Sequence, residues 1–296
     1  MKILLLGKNG QVGWELQRSL APLGELIALD LDSTRYCGDL TNLQGLSDTV
    51  HAIRPDVIVN AAAYTAVDHA EREPELTHVI NALGPGTLAE AAERCGAWLV
   101  HYSTDYVFDG SGTQPWCETD SAAPLNVYGK SKLEGERLVV ANCPRHLIFR
   151  TSWVYSARGN NFARTMLRLA KEHEQLTVIN DQSGAPTGAD LLADVTAHAL
   201  RQIVIQPQLA GIYHVVASGE TTWYHYAKFV LSLAEQAGIP LKVTASQVTP
   251  VPTSAFPTPA IRPHNSRLDN TKVQTAFGLT LPHWQQGVAR MLKEIH

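Results

Sequence analysis

The first thirty residues constrain the fold more than any other part of the chain. Lys2 to Leu6 is a short apolar run, Ile3-Leu4-Leu5-Leu6, that ends at Gly7. It is too short for a signal-peptide core or a membrane span and reads as a buried parallel strand. Gly7-Lys8-Asn9-Gly10-Gln11-Val12-Gly13 follows, a G-x-x-G-x-x-G loop, with Leu16 and Leu20 at helical spacing behind it. The glycines meet three steric demands: a tight turn, approach of a pyrophosphate to bare backbone, and close packing of helix on strand. A helix starting there turns free N–H groups and its positive dipole end toward phosphate. A second apolar strand, Leu26 to Leu29, ends at Asp30, placed to accept hydrogen bonds from ribose hydroxyls. A carboxylate there repels a 2′-phosphate and favours NAD(H), although Arg35 nearby blurs that preference.

Strand and helix patterns then alternate. Asp56 to Asn60, Ala97 to Tyr102 and His146 to Arg150 read as strands. Helical stretches run from about Leu43 to Ile53, through Leu88 to Ala92, and from Asn126 onward. Alternating β and α with apolar strands predicts a parallel sheet covered on both faces, with ligands beyond the strands' carboxyl ends. Gly7, Asp30, Ala61-Ala62-Ala63, Thr104 and Trp153 all fall at such ends. Farther on, Phe162 to Leu169, Leu191 to Ile205 and Trp223 to Ala237 read as helices, and Thr177 to Ile179 and Gly211 to Val216 as strands. Pro250, Pro252, Pro257, Pro259 and Pro263 forbid a regular helix from Thr249 to Pro263 and predict a stiff, extended loop laid over a pocket.

The chemistry is concentrated in Asn126-Val127-Tyr128-Gly129-Lys130-Ser131-Lys132, read with Ser103-Thr104-Asp105. In a helix opened by Asn126, Tyr128 and Lys132 share one face. An ammonium beside a phenol is expected to lower its pKa from about 10, making it a proton donor or acceptor near neutrality. The Thr104 hydroxyl can hold a carbonyl oxygen against that phenol. Tyr-x-x-x-Lys alone is a weak signal; the glycine loop gives it weight.

The remaining composition excludes other classes. Net charge is −4 with 18% charged residues and no Lys/Arg cluster, so neither nucleic acid nor an anionic membrane is an expected partner. The four cysteines, Cys37, Cys95, Cys117 and Cys143, are scattered, which fits reduced thiols in a cytoplasmic protein. The twelve histidines form no zinc motif, and His101, in an apolar run beside Val100, reads as a packed core residue. No ligand spacing predicts a metal.

The chain resembles the extended short-chain dehydrogenase/reductases that act on nucleotide-activated sugars, and among them the branch that reduces dTDP-linked 4-keto-6-deoxy sugars. The resemblance is carried by Gly7 to Gly13, Asn60 to Asp68, Ser103-Thr104-Asp105-Tyr106-Val107-Phe108-Asp109-Gly110, Tyr128 to Lys132, Arg150-Thr151-Ser152-Trp153-Val154-Tyr155, Asp181 to Thr187 and Arg262 to Ser266. It implies an α/β protein with a Rossmann-type doubly wound parallel sheet and a smaller, mixed C-terminal substrate-binding domain. Residues 1–150, with parts of about 175–217, would bind the dinucleotide; about 151–174 and 218–280 would bind substrate.

Carried over by position, the resemblance makes Tyr128 the proton donor, Lys132 its modulator and a ligand of the nicotinamide ribose, and Thr104 the hydroxyl that orients the sugar. Gly10, Gln11 and Val12 would line the pyrophosphate, Asp30 the ribose, Asp39 and Leu40 the adenine; Ala63, Tyr64 and Thr65 would border the cofactor. Asp105 and Trp153 would touch the sugar. Asn81 falls where the wider family often has an asparagine beside the site. Arg262 is either a ligand of the substrate diphosphate, which a guanidinium suits, or a surface arginine.

The implied reaction is NADPH- or NADH-dependent reduction of dTDP-4-dehydro-L-rhamnose to dTDP-L-rhamnose. Members of the branch are associated with Mg²⁺ and with homodimers. Related dehydratases carry Thr-Asp-Glu where this chain has Thr104-Asp105-Tyr106, so their elimination machinery is incomplete here. A 4-epimerase shares the Tyr/Lys pair, and a non-catalytic regulatory subunit can share the fold; both stay open as alternatives.

Overall fold

Six largely apolar strands lie side by side in one parallel sheet, and the computed structural model describes residues 1–295. The chain enters through β1 (Lys2–Leu6), turns at Gly7 into α1 (Gln11–Leu20) and returns through β2 (Glu25–Leu29). Helix α2 (Leu43–Ile53) leads to β3 (Val57–Asn60). Short α3 (Val67–Ala70) and α4 (Pro74–His78) then run through a π-helical turn at Val79–Leu83 into α5 (Gly84–Cys95). Next come β4 (Trp98–Thr104), α6 (Val127–Asn142) and β5 (His146–Thr151).

The second half interleaves short strands with helices. It contains β6 (Val154–Tyr155), α7 (Phe162–Glu172), β7 (Thr177–Ile179), β8 (Ser183–Gly184), β9 (Thr187–Gly188) and α8 (Ala189–Ile203). It continues with β10 (Gly211–His214), β11 (Thr221–Thr222), α9 (Trp223–Gln236), β12 (Thr249–Val251), α10 (Thr271–Phe277) and α11 (Trp284–Glu294). No helix among the described residues is long and apolar enough to cross a membrane.

The sheet order is β2-β1-β3-β4-β5-β10, with every neighbouring pair parallel. The winding reverses between β1 and β3, and a crevice outside the carboxyl ends at such a reversal is where doubly wound sheets take ligands. Alternate residues of each strand feed opposite faces. Ile3, Leu5, Val57, Val59, Val100 and Phe149 pack with Leu16 and Leu20 of α1 and with α8. Leu4, Leu6, Ile58, Leu99 and Ile148 pack with α2, α5 and Val139 of α6. Each such side chain contributes about 1.5–3 kcal/mol by burial, so these strands tolerate no polar alternation. A separate core gathers Met166 and Leu167 of α7, Tyr226 and Val230 of α9, and Trp284 and Val288 of α11.

The proline-rich segment departs from the expected loop at its start. Thr249–Val251 pairs in parallel with β7, placing Pro250 opposite Val178. A two-stranded sheet is all edge, so the missing N–H of proline is tolerated there. Beyond it the segment crosses to the N-terminal half, where the Asn126 amide donates to the Ile261 carbonyl at 2.8 Å and the Ala260 N–H to Asp68 at 3.3 Å.

The turn from β1 to α1 is sterically closed. A Cβ on Gly13 would lie 1.9 Å from the Gly7 carbonyl oxygen. Gly13→Ala is therefore expected to lose about 1–3 kcal/mol of stability in a denaturant melt. Parental stability would show that the loop relaxes without cost.

Candidate active site

The nucleotide end is built from backbone. Gly10 caps α1 without a side-chain bond, so the first-turn amides of Gln11, Val12 and Gly13 are left for a ligand. A Cβ on Gly10 would meet nothing nearer than the Gly7 oxygen at 3.4 Å, so bare backbone faces open space there. Asp30 directly follows β2, and its carboxylate accepts from the N–H of Asn9 at 3.0 Å and of Leu31 at 2.8 Å, which ties it to the glycine loop. Asp39 accepts from both the N–H and the hydroxyl of Thr41 at 2.8 Å, beside buried Leu40. These features fit a dinucleotide along the β1–β2 edge.

Ala63, Tyr64 and Thr65 leave the end of β3. Asn81 clamps this loop: its Oδ1 accepts the Tyr64 N–H at 2.8 Å, and its Nδ2 donates to the Tyr64 carbonyl at 3.0 Å and to Ser131 Oγ of α6 at 3.1 Å. Asn81 is fully buried, in the π-helical turn.

The chemical end is the meeting of β4 with α6. Asn126 caps α6, its Oδ1 accepting from Gly129 N–H at 2.8 Å, which places Tyr128 in the first turn and Lys132 one turn on. A Cβ on Gly129 would lie 2.2 Å from the Tyr106 carbonyl oxygen, so only glycine lets the helix approach this closely. Thr104, the last residue of β4, accepts from the Tyr106 N–H and donates to Asp105 Oδ1, both at 3.1 Å. Its hydroxyl also meets the Tyr128 phenol. The Tyr106 and Tyr128 rings stand edge to face with centroids 5.7 Å apart.

The expected lowering of the tyrosine's pKa is not met. Burial pushes Tyr128 up to about 12, the neighbouring Thr104 hydroxyl pulls it back, and the Asp105 charge adds to the rise. Lys132 does not reach the phenol with its nitrogen: Nζ donates to the Tyr102 carbonyl at 2.6 Å and lies 3.3 Å from His101 Nε2. Burial pushes Lys132 down to about 8, with Glu136 opposing. The Glu136 carboxylate is itself held by the buried Arg150 fork at 2.6 and 2.9 Å.

Asp105 is 3% exposed and its Oδ2 has no partner. Burial pushes it up to about 7, opposed by hydrogen bonds with Ser266 and Thr104. Trp153 adopts a left-handed backbone, φ 49°, and stacks on Trp223 with centroids 3.6 Å apart. A non-glycine residue held there stores about 1–3 kcal/mol of strain, a pattern typical of ligand clamps. Trp153 joins the Asp105 side through neighbours: it lies against Gly184, and Ser183 next to it accepts from the Ser266 N–H at 2.8 Å. Arg262 is not free. Its fork pairs with both oxygens of Asp68 on α3, at 3.1 and 2.7 Å.

The structure thus brings Thr104, Asp105, Tyr128 and Lys132 to one strand end, sets Gly7 to Gly13, Asp30, Asp39 and Leu40 along the other end of the sheet, and reaches Trp153 and Arg262 by way of further residues. Sequence reading gave no site role to the buried Asn60 and Ser266 or to the half-buried Tyr106. A polar residue closing an apolar strand, as Asn60 does, was the available signal. Among the described residues no group of three or more His, Cys, Asp or Glu side chains is placed to hold a metal.

Asp105 carries a pH-dependent cost. Its folded pKa is raised above the ordinary 3.8, so the folded state binds the extra proton and stability falls as pH rises from about 4 to about 7. Asp105→Asn keeps the accepting oxygen and removes the charge. Its melting temperature is expected to exceed the parent's by roughly 2–4 °C at pH 8, and the gap to close at pH 4. A gap that does not depend on pH would contradict a buried, titrating carboxyl.

Comparison with known proteins identifies the family. The family model described as RmlD substrate binding domain matches residues 1–296. The dTDP-4-dehydrorhamnose reductase of Escherichia coli (strain K12) is 63% identical over 100% of this chain and 98% of its own length. The enzyme of the same name from Burkholderia thailandensis is 47% identical over 100% of this chain and 99% of its own length. A crystal structure of dTDP-4-dehydrorhamnose reductase from Bacillus anthracis in complex with NADP superposes with a TM-score of 0.88 at 38% identity, covering 99% of this chain and 100% of that one. The chain belongs to the RmlD family, that of the dTDP-4-dehydrorhamnose reductases.

Proposed function

We propose that the chain reduces the 4-keto group of dTDP-4-dehydro-L-rhamnose with NADPH or NADH, giving dTDP-L-rhamnose. The observation that carries this reading is the convergence of the Thr104 hydroxyl and the Tyr128 phenol beside Lys132 at the end of β4, one strand removed from the β1–β3 crevice. The names of the curated relatives, and the NADP in the Bacillus anthracis structure, support it.

Gly7, Gly10, Gln11, Val12 and Gly13 would hold the pyrophosphate, Asp30 the ribose, Asp39 and Leu40 the adenine, with Ala63, Tyr64 and Thr65 along the cofactor's edge. When bound, the reduced nicotinamide supplies a hydride to C4 of the sugar. The residues of this chain manage the proton. Tyr128 keeps its proton at neutral pH, because burial raises its pKa, and gives it to the keto oxygen as negative charge develops. Thr104 donates a hydrogen bond to the same oxygen, and Lys132, as the ammonium, favours the phenolate left behind through its charge and not through a bond to it. Asp105 and Trp153 would contact the sugar, and Arg262 would reach the diphosphate by leaving Asp68. The sugar would bind with residues of about 151–174 and 218–280, and the dinucleotide with 1–150 and parts of about 175–217. Among the described residues no group of three or more His, Cys, Asp or Glu side chains is placed to hold Mg²⁺.

Mixing purified protein with the dTDP-linked 4-keto sugar and NADPH or NADH tests the reading through loss of nicotinamide absorbance. No oxidation with either cofactor would favour a regulatory subunit. Copurified NAD without net consumption would favour an epimerase. Tyr128→Phe is expected to lower kcat by at least about 100-fold while cofactor affinity holds within about 2-fold; parental turnover would remove Tyr128 as the acid. Asp30→Ala is expected to weaken NADH more than NADPH, and equal weakening would show that Asp30 does not read the ribose.

A further inference from the structure

His101 sits in the middle of β4 with no exposure, and Asn60, its register partner on β3, is 1% exposed. Each ring nitrogen has one polar side-chain neighbour. Nδ1 lies 3.2 Å from Asn60 Nδ2, and Nε2 lies 3.3 Å from Lys132 Nζ. The Asn60 oxygen is already taken, accepting the Ala62 N–H at 3.2 Å. Flipping the amide would set its NH₂ against that N–H, donor against donor. An amide nitrogen only donates, so Nδ1 must accept and be unprotonated. Burial keeps the ring neutral, and a neutral imidazole then carries its single proton on Nε2.

That N–H points at Lys132. An ammonium is donor only and finds no partner in it, whereas an amine accepts it. The bond from Nζ to the Tyr102 carbonyl suits either form. The other groups around Lys132 do not cancel the effect. On α6, Tyr128 is a neutral phenol and Glu136 favours the ammonium, but Arg150 of β5 holds the Glu136 carboxylate. On β4 the facing groups are His101 itself and the Tyr102 carbonyl, and Asp105 of the following turn faces Thr104 and Ser266.

We propose that the Asn60–His101 pair is a positioning device for Lys132: the Ala62 amide fixes the asparagine, the asparagine fixes the imidazole tautomer, and the Nε2–H favours the amine of Lys132 over its ammonium. Protonating Lys132 sets donor against donor at Nε2 unless the ring exchanges tautomers and Asn60 releases Ala62, in the loop between β3 and Tyr64. Only the consequence for the reaction rests on the function proposed above.

Two NMR readouts test the device without turnover. In [¹⁵N]histidine-labelled protein, long-range ¹H–¹⁵N correlations for His101 are expected to show the proton on Nε2; a proton on Nδ1, or on both nitrogens, overturns the proposal. In [¹³C]lysine-labelled protein, the Lys132 Cε signal, identified by its loss in Lys132→Met, reports the amine titration. Its midpoint is expected to rise by about one pH unit in His101→Leu, which removes the N–H. The same rise is expected in Asn60→Asp, which offers Nδ1–H an acceptor and turns Nε2 into one. His101→Gln, which restores an amide N–H, is expected to stay near the parent. Midpoints that coincide in Asn60→Asp and the parent overturn the proposal, and should His101→Leu not fold, Asn60→Asp and the parental tautomer still decide it. The alkaline limb of kcat/KM for ketone reduction is expected to move with the midpoint. A midpoint that moves while the limb stays leaves the positioning intact and removes Lys132 from the reaction.

Discussion

Everything at the site depends on how closely one helix end docks on one strand end. Gly129 and Gly135 of α6 lie where a Cβ would come within 2.2 Å of the Tyr106 oxygen and 2.1 Å of the Asn81 oxygen, so the helix approaches β4 and the π-helical turn as near as backbone allows. The buried Glu136–Arg150 pair ties the next turn to β5. Such a pair adds little net stability, because desolvation offsets the attraction, but moving either partner leaves a buried charge uncompensated at about 3–5 kcal/mol. It therefore fixes position more than it adds stability. The cap at Asn126 fixes the start of the helix, and Tyr128 and Lys132 have little freedom left.

The same close docking takes the titrating groups out of water. Burial raises Asp105 and Tyr128 and lowers Lys132, so each is shifted toward its neutral form. A ketone entering such a site lies among groups withdrawn from water. Charge that then develops on its oxygen is poorly screened, so the Thr104 and Tyr128 hydroxyls act on it more strongly than they would in water. Spacing in the sequence placed an ammonium beside the phenol and implied a lowered tyrosine. Spacing determines which face a side chain shares, whereas the acceptors it finds on other elements determine its charge, and Lys132 finds the Tyr102 carbonyl and the His101 ring.

The first strands of the sheet were legible because their determinants are local. Strands covered on both faces form unbroken apolar runs, so β1, β2 and β3 appeared within a residue of their observed limits. Glycines that a Cβ would block declared the first turn. Contacts that join distant positions were less legible, in both halves of the chain. Asn60 and His101 are separated by 41 residues and meet only through strand register. Arg262 and Asp68 are separated by 194, and no local pattern announces their pairing. The five prolines excluded a helix correctly, but nothing in them distinguishes a loop from an edge strand, because β12 needs a partner in β7 that only the fold supplies. Trp153 gave no sign of its left-handed backbone; the sole local trace is a glycine, Gly184, where its indole lies.

Asn126 joins these two kinds of information in one side chain. Its oxygen caps α6 at Gly129, a contact readable from local sequence, while its nitrogen holds the Ile261 carbonyl of the proline-rich segment, a contact 135 residues away. Asp68 holds the same segment through Ala260 and Arg262. A cap contributes about 1 kcal/mol and a partly exposed ion pair about 0–1 kcal/mol. These energies are small beside those that seat α6, so the segment can be displaced while the helix stays. On the function proposed above, an arriving diphosphate would compete with Asp68 for Arg262, because a guanidinium fork suits phosphate as well as carboxylate. The proline-rich rim is adjustable, and Tyr128 and Lys132 behind it are not.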